Sequence, residues 1–243
     1  MFALYIKEIN SFLSSLTGYI VILVFTTLNG LFLWVLPGHM NILDGGYATL
    51  EPLFYISPWV LLFLIPAISM RMIADEKKNG TLDLLYTRPV NELQIALAKF
   101  LSTLTLSVIA LIPTLIYFIA VGKLGATPYN LDIGGTWGSY IGLVLLAAVY
   151  AAIGIFSSSL TSNVIVAFMV AVLFCFTAYA GFDYLGELMQ SSVLGAKLSL
   201  LGIDAHYQSI SRGVIDSRDI IYFLSAIGIF VYLTNLKLKS RLW

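Results

Sequence analysis

The chain has 243 residues, 59% of them hydrophobic and only 11% charged, and its formal net charge is zero. Soluble domains average about 45–50% apolar and about 25% charged residues, so this composition belongs to a membrane protein and excludes an ordinary soluble fold. Zero net charge leaves no basic field to attract nucleic acid. Four tryptophans and 14 tyrosines suit the aromatic belts at membrane interfaces. The single cysteine, Cys175, lies in an apolar run. It can form neither an intramolecular disulfide nor a thiolate cluster, and reads as a small packing residue.

The first 16 residues, MFALYIKEINSFLSSL, place Phe2, Tyr5, Ile6, Ile9, Phe12, Leu13 and Leu16 at three- and four-residue steps. Lys7, Glu8, Asn10, Ser11, Ser14 and Ser15 take the opposite face, which predicts an interfacial amphipathic helix over about 2–16. The following run, GYIVILVFTTLNGLFLWVLPG, is too long for a signal-peptide core and reads as a retained span over about 18–36. With charges as boundaries, further spans fall at about 52–72 and 99–122. No charge occurs from Ile133 to Phe182, and the polar SSSLTSN at 157–163 divides that run into spans at about 135–157 and 163–182. A sixth occupies about 219–236. Before it, LGELMQSSVLGAKLSLLG and AHYQSISRGVID predict short helices on the outer face. The expected fold is all-α: one membrane domain over 1–243 with six spans and no internal repeat.

Lys7, Arg71, Lys77, Lys78, Arg88, Lys99, Lys237, Lys239 and Arg241 fall on one side, against Lys123, Lys197, Arg212 and Arg218 on the other. The positive-inside bias therefore puts both termini in the cytoplasm. Catalytic patterns are missing from the sequence. His39 and His206 fall in separate outer loops, Ser157–Ser159 have no in-span base, and no P-loop motif is present. No catalytic, cofactor-binding or metal residue is expected. The spans carry no ionisable group near their centres, which disfavours a proton- or sodium-coupled carrier. Asn29 is expected to hydrogen-bond within the bundle, Gly138 and Gly142 to permit close helix approach, and Pro58, Pro66 and Pro113 to kink spans two and three.

One segment breaks the apolar pattern: DEKKNGTLDLLYTRPVNELQIALAKF, from Asp75 to Phe100. Placing its first four charges in lipid would cost about 2.5–3.5 kcal/mol each, so they face water. Gly80 permits a bend, and Thr81 can cap a short helix whose Leu82, Leu85 and Tyr86 share a face. Arg88-Pro89 ends it, and Asn91 with Gln94 reads as a capping box that starts span three. Three leucines and a tyrosine in six residues at a water-facing turn call for a protein partner.

The string E-K-x-x-G-T-L-D-L-L-x-x-R-P-V followed by L-A-K-F resembles the ABC-2 class of ABC transporter permeases. FYISPWVLLFLIPAISMRMIADEKKNGTLDLLYTRPV and HYQSISRGVIDSRDIIYFLS are similar, more narrowly, to the gliding-motility-associated permeases of Bacteroidota-type bacteria. The resemblance implies that the segment between spans two and three is a cytoplasmic coupling helix. Glu76, Gly80, Thr81, Leu82, Asp83, Leu85, Tyr86, Arg88 and Pro89 would then form the ATPase-coupling site, with Asp83 where many members carry Glu. It implies that Leu82, Leu85 and Tyr86 fill a groove on a separate cytoplasmic P-loop ATPase, while Glu76 and Arg88 orient the helix by charge pairing. ATP and magnesium would belong to that ATPase, with no cofactor in this chain. A second permease copy, or a related or auxiliary membrane subunit, would complete the transporter in the inner membrane, among lipids and mostly for export. The competing readings are a self-contained channel or secondary carrier, and a polytopic membrane enzyme.

Overall fold

The computed structural model describes the chain except Arg88 and residues 126–130, 190–192, 214–215 and 241–243. Helix α1 covers Phe2–Leu13. Helix α2, Leu16–Gly30, runs on through a π-helical turn, Leu31–Val35, and the one-turn α3, Ile42–Gly45, follows. Then come α4 (Glu51–Lys78), α5 (Thr81–Tyr86) and α6 (Glu92–Leu111), which passes through the 3-10 turn Ile112–Thr114 into α7 (Leu115–Leu124). The remainder is α8 (Ile133–Leu160), α9 (Val164–Phe176), a π-helical turn (Thr177–Gly181), α10 (Phe182–Leu188), α11 (Val193–Ser199), α12 (Ile203–Ser211) and α13 (Ser217–Lys239). Among the described residues there is no strand, and six segments are long and apolar enough to span a membrane: Leu16–Val35, Glu51–Lys78, Glu92–Leu124, Ile133–Leu160, Val164–Leu188 and Ser217–Lys239. The protein is an all-α, multi-pass membrane protein.

Two spans form the centre. The apolar windows of α4 and α8 are 67% and 78% buried, against at most 33% in each of the others, whose outer faces are left for lipid. The pair packs closely because Gly154 has no side chain: a Cβ there would sit 2.1 Å from Ser69 Oγ. One turn later the buried Ser158 hydroxyl accepts from the Ile73 and Ala74 amides, at 3.1 and 3.0 Å, and donates to the Met70 carbonyl at 2.9 Å. A residue of α8 thus completes the backbone hydrogen bonding of α4. Pro58 and Pro66 lie inside a continuous α4. Pro58 has no N–H to offer the Phe54 carbonyl, and the Tyr207 hydroxyl of α12 donates to it instead, at 2.8 Å. Pro113 sits in the 3-10 turn, whose Thr114 carbonyl accepts from Tyr140 of α8 at 3.1 Å. Asn29 behaves as expected: it is fully buried and accepts from Ser57 of α4 at 3.2 Å.

Helix α1 is separate from α2, because the chain turns at Ser14 and Ser15, whose side chain caps α2 by accepting from the Gly18 amide at 3.2 Å. Its apolar face divides. Ile9, Phe12 and Leu13 pack on the bundle and Tyr5 reaches Thr105 of α6, at 2.9 Å, while Phe2 and Ile6 stay exposed. Six alternating spans bring both termini to the end that carries α5.

Candidate functional site

The segment Asp75–Phe100 folds at that end of the bundle. Its opening charges are helical, because α4 continues to Lys78, with Lys77 and Lys78 in a last turn whose carbonyls favour cations. Lys77 also donates to the Ser159 carbonyl and so ties the end of α4 to that of α8. Gly80 then reverses the chain in the left-handed region, φ +67°, which a residue with a Cβ adopts only at a cost of about 1–2 kcal/mol. Thr81 is not a cap. It is the first residue of α5, Gly80 holds the cap position, and the Thr81 hydroxyl donates to the Glu76 carbonyl at 3.4 Å. The Asn91–Gln94 capping box forms as its residue types require. The span-three helix therefore starts at Glu92, seven residues before Lys99.

Leu82, Leu85 and Tyr86 do share a face, but that face turns toward the protein's own bundle. Leu82 is only 3% exposed and belongs to the hydrophobic core, against which Leu85 and Tyr86 pack. It is therefore unavailable to fill a partner's groove; it fastens α5 to the bundle. The apolar side chain that projects outward is Leu84, 65% exposed, flanked by exposed Asp83, Thr87 and Pro89. Arg88 lies outside the described residues.

Glu76 is likewise engaged within the chain. Its carboxylate lies 2.7 Å from Lys99 Nζ and 3.2 Å from Lys7 Nζ, while Glu8 lies 3.3 Å from both ammonium groups. Lys99 is fully buried; it donates to Glu8 at 3.3 Å and to the Met72 carbonyl, and its ion pair with Glu76 leaves the Glu76 Oε2 atom without a hydrogen bond of its own. Burial opposes the charge on Lys7, but the Glu8 and Glu76 carboxylates outweigh it and hold the ammonium above its ordinary pKa. Sequence reasoning missed this network. A helical wheel puts Glu8 on the watery face, and charge placement makes Lys99 a boundary marker. The missed signal was the seven-residue gap between the Asn91 cap and Lys99, which carries a lysine two turns into a helix that packs on its neighbours.

The geometry joins three elements at one residue. The Glu76 side chain grips α6 and α1, and its carbonyl receives the first residue of α5. Residues 59–235 match the family model described as ABC-2 family transporter protein. The chain belongs to the ABC-2 transporter family. No curated protein matches the sequence. ABC-2 permeases are the membrane components of transporters and generally work with a cytoplasmic ATPase. Six apolar helices in this chain make it a multi-pass permease subunit.

Proposed function

We propose that this permease is driven by a separate cytoplasmic P-loop ATPase that docks on α5, and that it works as an exporter in the inner membrane with both termini in the cytoplasm. ATP and magnesium are held by the ATPase, and a second permease copy or a related membrane subunit completes the pathway. The observation that carries the reading is α5 itself: a six-residue helix pinned by Leu82, presenting Leu84 outward, and joined through Glu76 to α1 and α6. Asp83, Thr87 and Pro89 frame the exposed leucine, and Arg88 follows in sequence as a charge for the partner. The similarity of residues 54–90 and 206–225 to gliding-motility permeases supports the same role in surface motility.

Co-purification of the tagged permease from its native membrane tests the partner. A P-loop ATPase is expected in the complex, with its hydrolysis stimulated by the permease. Leu84→Asp should abolish the association and leave the isolated permease at wild-type thermal stability, whereas Leu82→Asp should lower that stability as well. ATP-independent flux by the chain alone in liposomes would instead establish a self-contained carrier. Deletion of the gene should stop spreading on agar if motility is the physiological role.

A further inference from the structure

At the end of the bundle away from the termini, a cavity of about 790 Å³ reaches down between α4, α10 and α12. Glu51, Asp132, Asp183, Glu187 and Asp204 line it, and among the described residues Arg212 is the one lining cation. None of the five carboxylates forms an ion pair among the described residues, although Asp132 caps α8 and Asp204 accepts from the Gln208 amide at 2.7 Å. Asp183 lies within electrostatic reach of Asp204 and Glu187, so like charges accumulate around one space. No three His, Cys, Asp or Glu residues come together as metal ligands among the described residues, so the carboxylates surround a volume and do not converge on a point.

The deeper wall is aromatic. Trp59 and Tyr179 meet edge to face with centroids 5.4 Å apart, and Tyr207 is locked beside them by its bond to the Phe54 carbonyl. Beneath lies Tyr150, fully buried, whose hydroxyl has no hydrogen-bond partner. Leaving a hydroxyl unpaired in a dry interior costs about 1–3 kcal/mol. Side chains of an α-helix lean toward its N-terminus, and the N-terminus of α8 is at the cavity end. The Tyr150 side chain therefore rises toward the Tyr179 ring, 6.4 Å away between centroids, but Tyr179 and Tyr207 line the cavity and Tyr150 does not. The cavity thus combines an excess of carboxylates over cations with aromatic faces that attract cations.

We propose that this cavity binds an organic ammonium ion with an apolar body. The charged head sits among the carboxylates and ring faces. The site is independent of ATPase docking at the opposite end. The test is equilibrium binding to the full chain in nanodiscs of zwitterionic lipid, with three probes that share one skeleton: 4-phenylbutylammonium, its N,N,N-trimethyl derivative and neutral 4-phenylbutanol. Both cations should bind saturably, and the alcohol about tenfold or more weaker. Asp183→Asn with Asp204→Asn should weaken both cations about tenfold. Trp59→Leu, which removes a lining ring face, should weaken both cations roughly fivefold and leave the alcohol unchanged. If the double variant does not fold, the exposed pair Glu51→Gln and Glu187→Gln should still weaken both cations. Equal binding of alcohol and cations, or non-saturable uptake indifferent to every substitution, would overturn the proposal. So would calcium displacing the probes with the same carboxylate dependence, which would make the cavity a metal site.

Discussion

At the scale of single residues, Lys99 is the side chain on which the α5 end of the bundle depends. Its charge is compatible with burial because the Glu76 and Glu8 carboxylates lie 2.7 and 3.3 Å away and the Met72 carbonyl accepts from it. Lys99→Met would strand two carboxylates and should destabilise the protein by about 3–5 kcal/mol. Adding Glu76→Gln to it should cost less than the sum of the two single losses, because the groups share one network; denaturant unfolding in detergent measures both. Lys7 gives a sign-definite pH effect. Its folded pKa is raised above the ordinary 10.5 by Glu8 and Glu76, once their attraction has outweighed burial. The contribution of its pairing is therefore complete below that ordinary value and is lost as pH rises through the higher folded one. Between pH 6 and 9 the docking of α1 should not change, whereas stronger alkali should release it; a fluorophore on Phe2→Cys, with Cys175 replaced by Ala, would report the release.

At the scale of elements, the α4–α8 contact sets the centre and depends on a missing side chain. Gly154→Ala would drive a Cβ to 2.1 Å from Ser69 Oγ and 2.8 Å from its Cβ, and overpacking of this kind typically costs 1–3 kcal/mol. Ser69→Gly removes both obstructing atoms and should restore the melting temperature of the Gly154→Ala variant, measured by thermal unfolding in detergent. Element existence was legible in the sequence because its signals are chemical and local. Apolar runs bounded by charges mark the spans, Gly80 marks the reversal, and Asn91 with Gln94 marks the start of α6. The direction in which α5 faces was not legible. Spacing shows that Leu82, Leu85 and Tyr86 share a side, but only packing decides whether that side meets a partner or the protein's own bundle.

For the whole molecule, the two ends differ in kind. One end carries a largely buried charge network beside the short helix α5; the other opens into an acidic, aromatic cavity. Composition could announce six spans and a cluster of charges, because lipid penalises charge wherever it lies along the chain. It could not announce the cavity, whose carboxylates come from α4, α10, α12 and the cap of α8 and are scattered from Glu51 to Asp204. Nor could it single out Tyr150, one of 14 tyrosines, as fully buried with an unpaired hydroxyl.

The Ser158 hydroxyl, which receives the amides of Ile73 and Ala74 from the facing helix, makes those two amides an isotope clock. While α4 and α8 stay together their protons are shielded by a neighbouring helix, and any step that parts the two helices exposes both at once. In deuterated buffer, peptides covering Ile73 and Ala74 should exchange slowly at rest and faster during turnover if transport separates the central pair. If the pair moves as one rigid body, the clock will run at its resting rate, and the motion that carries cargo will have to be sought among the lipid-facing spans.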